Sequence, residues 1–176
     1  MRKKKFGGVV WKLVIIAVAA MLFTGCSAKT EKQEVSEPAK AVLEAMFTAP
    51  NEDLYNENAI SVIGQGVIPS DLEEGEKKEA SKTIEKNWND AVGKYFAESY
   101  LSDFVATTGT KYLAEAVMDD VDCSVEKMDL IGKSEESEMI EISYRMGEDE
   151  KKARLSIQYD DNGRIRALTP VQEHVK

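Results

Sequence analysis

Residues 140–168, IEISYRMGEDEKKARLSIQYDDNGRIRAL, decide how this chain folds. Ile140, Ile142, Tyr144 and Met146 alternate with Glu141, Ser143 and Arg145, and Leu155, Ile157 and Tyr159 alternate with Arg154, Ser156 and Gln158. A period of two places one set on each face of a strand, so each segment reads as a half-buried β-strand. Gly147-Glu148-Asp149 supplies a tight turn. Asn162-Gly163 is a strong two-residue hairpin signal, and Arg164 to Leu168 returns as the next strand. Upstream, Val121, Cys123 and Val125 alternate, and the phase then slips by one to Met128 and Leu130, which predicts a bulge near Glu126-Lys127. Four strands joined by short links make an antiparallel meander with one buried and one wet face.

Before residue 120 the period is helical. Ser36 is placed to cap a helix whose first turn tolerates Pro38, and Ala39, Val42, Leu43, Met46 and Phe47 form its apolar face. Pro50 is expected to close that helix, with Leu54 and Tyr55 of a short following turn packed inward. Ile84, Trp88, Val92, Phe96, Tyr100 and Phe104 recur every four residues, with Ala91 and Tyr95 beside them, predicting one long helix that ends before Thr107-Thr108-Gly109. Thr110 is then expected to cap a short helix carrying Leu113, Ala114 and Val117. Helices followed by a one-sided sheet give an α+β class, with N-terminal helices packed on one face of a four-stranded antiparallel meander. This element order, over residues 36–171, resembles the cone-shaped nuclear transport factor two-like roll, which also recurs in small bacterial lipoproteins.

Across 176 residues, 23 Lys and Arg face 32 Asp and Glu, and this acidity argues against nucleic acid or an anionic lipid surface as the main partner. Two cysteines cannot build a disulfide framework, and a single His cannot supply a His-rich metal site.

The N-terminus opens with Met1-Arg2-Lys3-Lys4-Lys5, and Leu13 to Phe23 (LVIIAVAAMLF) is uncharged. A basic start before a short apolar run is the pattern of an export signal. A helix of that run would be about 16 Å long, well short of the ~30 Å hydrocarbon core. The run ends Leu22-Phe23-Thr24-Gly25-Cys26-Ser27, which resembles the lipobox of bacterial lipoproteins, although Phe23 stands where that family prefers Leu. The resemblance implies cleavage after Gly25 and a lipid on Cys26. Residues 1–25 are then a signal peptide, 26–35 a lipidated tether, 36–171 an α+β domain and 172–176 a tail. The five basic groups of the signal (Arg2, Lys3, Lys4, Lys5, Lys12) leave 18 basic against 32 acidic residues, so the side-chain charge of residues 26–176 is −14.

Several residues invite a chemical reading. Cys123 lies in phase with Val121 and Val125 among acidic neighbours, which predicts a core thiol rather than a nucleophile. His174 falls in the tail. Asp160-Asp161-Asn162-Gly163 is short of a calcium loop, because Gln158 and Thr169 stand where ligands are required. Asp119, Asp120 and Asp122 form a charge cluster without a loop glycine. Gly64-Gln65-Gly66 lacks the rest of a phosphate-binding fingerprint. Around it, Ile60, Val62, Ile63, Val67 and Ile68 must pack on the core or form a partner surface. Trp88, Tyr95, Tyr100 and Tyr144 are core aromatics that, on the cone resemblance, would line a pocket. The inward positions otherwise read as apolar, and no acid is assigned to the interior.

Neither a catalytic constellation, a cofactor nor a metal site is read from these residues. The expectation is a membrane-anchored extracytoplasmic module, held by the lipid on Cys26, that binds or scaffolds. Its partner would be a second copy, an envelope protein or an unspecified ligand. An isomerase or dehydratase using a cone-shaped pocket and an accessory capture lipoprotein of a transporter are the alternatives.

Overall fold

The computed structural model describes residues 34–55 and 74–171. Helix α1 (Glu37–Met46) begins where the sequence places it: Ser36 is extended, its Oγ accepts from the Ala39 amide, and Pro38 sits in the first turn. Its buried face is Ala39, Val42, Leu43 and Met46. The helix stops at Phe47, three residues before Pro50, so that Ala49 can exchange two backbone hydrogen bonds with Cys123. Leu54 and Tyr55 are buried in the next turn, which Asn51 closes by accepting the Leu54 amide.

The long helix expected through Phe104 is instead two pieces. Helix α2 (Glu74–Val92) gives way to a 3-10 turn at Gly93–Tyr95; Phe96 is extended and bridges Ile165, and α3 (Leu101–Phe104) restarts the helix. Gly93 is a poor helix former, and the chain exchanges helical bonds for ones to the sheet: the Ala97 amide donates to the Ile165 carbonyl. The four-residue spacing survives because both pieces bury the same aromatic cluster, with Phe96 and Phe104 centroids 4.7 Å apart and Trp88 edge-on to Phe104 at 5.4 Å. A π-helical turn (Val105–Gly109) occupies the expected break and leads into α4 (Lys111–Asp119). Thr110 precedes α4 without capping it by its side chain; the hydroxyl donates back to the Val105 carbonyl.

Strands β1 (Cys123–Lys133), β2 (Ser137–Met146), β3 (Asp149–Tyr159) and β4 (Ile165–Pro170) form one antiparallel sheet in the order β1-β2-β3-β4. The class is therefore α+β, with the helices on the sheet's apolar face. Val125 pairs with Tyr144 but Met128 with Ile142, so a bulge falls where the phase slip predicts it, and a second follows between Leu130 and Gly132. Gly147 and Gly163 take φ of 61° and 74° in the two hairpins, a conformation that favours glycine. Ile140, Ile142, Leu155, Ile157, Ile165 and Leu168 are fully buried against the helices. Each such side chain contributes roughly 1.5–3 kcal/mol of transfer free energy.

The sheet edges are treated differently. The Tyr100 hydroxyl accepts from the Leu168 amide at 2.8 Å and donates to the Leu168 carbonyl at 3.1 Å, which covers the outer side of β4. On β1, Ala49 covers Cys123 and the two bulges blunt the remainder. β4 reaches only Leu155 to Tyr159 of its neighbour, with the Val171 amide adding one bond to the Arg154 carbonyl. Among the described residues, no strand pairs with residues 149–153 on the side away from β2.

Candidate functional site

The short reach of β4 opens a cleft of about 580 Å³ beside β3, lined by Lys111, Tyr112 and Glu115 of α4, Tyr144 of β2, Lys152 to Arg154 of β3, Glu141, and Pro170-Val171. Its apolar floor is set by local periodicity. Tyr112 begins the inward face of α4, and Tyr144 follows Ile140 and Ile142 on the inward parity of β2. Phe47 stacks on Tyr112 with centroids 3.9 Å apart and leans on Tyr144 at 4.8 Å. Each tyrosine lines the cleft and is only about 5% exposed, its ring packed among the other aromatics of the core. Among the described residues neither hydroxyl has a protein hydrogen-bond partner, a costly condition for a buried donor. Burial above all, and then the Glu115 charge and the other tyrosine or Cys123, push both phenols up to about 12. Both are therefore neutral donors at any physiological pH.

Charge surrounds this floor. Glu141 binds both Lys152 at 3.0 Å and Arg154 at 2.9 Å, hydrogen bonds that hold its carboxyl below the usual range. Glu115 binds Lys151 at 2.8 Å, and Lys111 lies 5.3 Å above the Tyr112 ring. Lys111, Lys152 and Arg154 thus line the cleft together with Glu115 and Glu141.

The four aromatics expected to line one pocket are not brought together. Tyr144 lines the cleft, with Tyr112 rather than the other three beside it. Trp88 is fully buried and donates its indole N–H to the Leu54 carbonyl at 3.1 Å. Tyr100 is spent on the β4 edge, and Tyr95 donates to Glu37 at 2.8 Å. Tyr112 follows Lys111 at the start of α4, and nothing in the spacing shows that β4 stops short beside it.

The interior also holds an acid that the inward pattern read from Ile140 onward leaves out. Glu138 is 2% exposed. Its Oε2 accepts from the Ser36 amide at 3.2 Å, the Ser36 hydroxyl at 2.8 Å and the Tyr159 hydroxyl at 2.9 Å, while Oε1 accepts from Lys133 at 2.9 Å. Burial raises this carboxyl, and the bonds from Lys133, Ser36 and Tyr159 outweigh it, leaving the group below the usual carboxylate range. The available signal was parity, since Glu138 lies two residues before Ile140. It stands six residues along β2 from Tyr144, about 20 Å at ~3.3 Å per residue, and belongs to a clasp rather than to the cleft.

Cys123 is buried in the core, and its thiol is pushed up to about 11, first by burial and then by Glu115. Asp160 accepts from the Asn162 and Arg164 amides and pairs with the Arg164 side chain, which makes it a hairpin residue. Among the described residues no cluster of three or more His, Cys, Asp or Glu is arranged to hold a metal ion, and no helix is long and apolar enough to cross a membrane. Cys26, the Ile60, Val62, Ile63, Val67 and Ile68 segment, and His174 lie outside the described residues. Comparison of the chain with protein-family models, with curated proteins and with solved structures gives no significant match. The cone resemblance therefore rests on element order alone.

Proposed function

We propose that the chain is a lipid-anchored extracytoplasmic module that binds a partner or ligand through the cleft beside β3. The carrying observation is a pair of buried tyrosines, whose hydroxyls have no protein partner among the described residues, in one cleft of about 580 Å³ that Lys111 and Lys152 also line, a size suited to a bound ligand. Donors left without a partner among the described residues are groups that gain from an incoming acceptor. The anchor is argued from Leu22-Phe23-Thr24-Gly25-Cys26: two acyl chains, at about 0.8 kcal/mol per buried CH₂, give stable attachment.

An isomerase or dehydratase needs an acid or base free to move a proton at the pocket floor. In the cleft Glu141 and Glu115 are engaged by cations, and the buried Glu138 is held elsewhere by four donors.

Two measurements test the proposal. Wild type expressed in a bacterium with labelled palmitate should incorporate label and fractionate with membranes, whereas Cys26→Ala should accumulate as unlabelled precursor; equal labelling removes the anchor. A photo-crosslinking amino acid placed at Ala153 should give defined adducts on intact cells that are lost in Tyr112→Phe plus Tyr144→Phe. Adducts unchanged in that folded double variant remove the cleft as the binding site.

A further inference from the structure

The ladder between β3 and β4 does not stop at Pro170. In the register that pairs Leu155 with Pro170, Ser156 with Thr169 and Ile157 with Leu168, the missing N–H of Pro170 costs no bond. The Val171 amide then resumes the ladder by donating to the Arg154 carbonyl at 2.8 Å. Outward-facing backbone groups recur every second residue, so Lys152 and Glu150 next direct N–H and C=O away from β2. Among the described residues no strand pairs with that edge, whereas β4 is covered by Tyr100 and Ala97, and β1 by Ala49 and two bulges. The sequence continues Gln172-Glu173-His174-Val175. Carried on without a shift, the register sets Gln172 opposite Ala153, Glu173 opposite Lys152, His174 opposite Lys151 and Val175 opposite Glu150.

We infer that the occupant of this edge is the chain's own residues 172–175, which continue β4 along β3 and cover the cleft until a partner displaces them, a regulation that rests on the binding-module reading above. A strand already in place is extended one residue at a time, whereas a separate chain must also give up its freedom to diffuse, so the covalent neighbour has the advantage. Directly opposite residues share a face of the sheet. Ala153 lines the cleft, on the same parity as the buried Leu155 and Ile157. The Gln172 side chain would therefore enter the cleft over a small residue. Its amide carbonyl can accept from the hydroxyls of Tyr112 and Tyr144, which have no protein partner among the described residues. Glu173 and Lys152 share the outer face as a cross-strand pair of opposite charge. The pairing itself is made by backbone groups and does not depend on that charge.

The test is made on the full chain, purified from the expressing bacterium, with Ala153→Cys combined with Gln172→Cys. Opposite residues at such a position have Cα atoms about 4.5 Å apart, within disulfide range. Under copper phenanthroline this pair should close within one chain at least tenfold faster than Ala153→Cys combined with Glu173→Cys, whose side chains fall on opposite faces. Equal rates overturn the inference. Adding Glu173→Pro to the first pair removes the N–H aimed at the Lys152 carbonyl and should slow closure at least fivefold. His174→Pro removes an N–H that faces away from β3 and should change the rate less than twofold. Equal effects of the two prolines overturn strand pairing, and a disulfide formed between two chains assigns the edge to a second copy instead. On intact cells, removing residues 172–176 should raise the Ala153 photo-crosslinks to partners at least threefold; an unchanged yield overturns the covering role. If those adducts ignore Tyr112→Phe plus Tyr144→Phe while the 153–172 disulfide still closes, the binding module fails and the added strand stands.

Discussion

Ser36 and Glu138 lie 102 residues apart in sequence, yet the Ser36 hydroxyl stands 2.8 Å from the Glu138 carboxylate and its amide also donates to the same oxygen. Ser36 is the N-cap of α1, and Val35, just before it and within the stretch expected as tether, is already buried in the core. Ser36 is thus bonded both to its own helix and to the sheet.

Replacing Ser36 with Ala removes the cap and one donor to the clasp, and should cost about 1–2 kcal/mol by urea denaturation. In a Glu138→Gln background the same change should cost at least ~0.5 kcal/mol less, since coupled partners are not additive. Strict additivity would show that the hydroxyl acts only on the helix.

The clasp makes stability depend on pH with a defined sign. The folded Glu138 carboxyl lies below its ordinary value of 4.5, so its contribution is fully present above that value and is lost as pH falls through the lower folded value. The urea midpoint of wild type should fall below about pH 5. Glu138→Gln should show a shallower fall, keeping the part due to Glu141 and Asp160, which are lowered as well. Parallel profiles would remove Glu138 as a contributor.

Tyr100→Phe deletes one hydroxyl that serves two backbone groups of Leu168. The loss should be about 1–3 kcal/mol, and hydrogen exchange at the Leu168 amide should accelerate more than at the amides of β2. Unchanged exchange would mean that the edge is protected by something other than this hydroxyl.

Gly109→Ala should destabilise by about 1–3 kcal/mol, because an added Cβ would stand 2.7 Å from the Phe104 ring, itself wedged between Trp88 and Phe96. Gly75, on α2 with nothing within 4 Å, should accept Ala with a gain of up to about 1 kcal/mol. Equal melting temperatures for the two variants would contradict the packing around the π turn.

Cys123 should resist thiol reagents at pH 8, where a thiol held near 11 and buried at the start of β1 is neutral and inaccessible. Labelling should begin only as urea unfolds the chain; rapid labelling of the native protein would contradict its burial.

Much of this fold follows from local pattern alone. Alternation gave each strand its inward face, the phase slip after Val125 located the first bulge, and glycines at 147 and 163 marked the hairpins, because each signal lies within a few residues of what it specifies. Ser36 and Pro38 announced α1 for the same reason. Tertiary structure decided the rest. Aromatic spacing of four is the same whether residues 84–104 form one helix or two pieces around a turn; the unsatisfied edge of β4, distant in sequence, selected the turn. Glu138 could be buried only because Ser36, Lys133 and Tyr159 converge on it from three separate elements. The cleft exists because β4 stops short of the length of β3, which places Tyr112 and Tyr144 beside Lys152. Propensity and periodicity are properties of neighbouring residues, whereas a satisfied charge or an open strand edge depends on groups that only folding brings together.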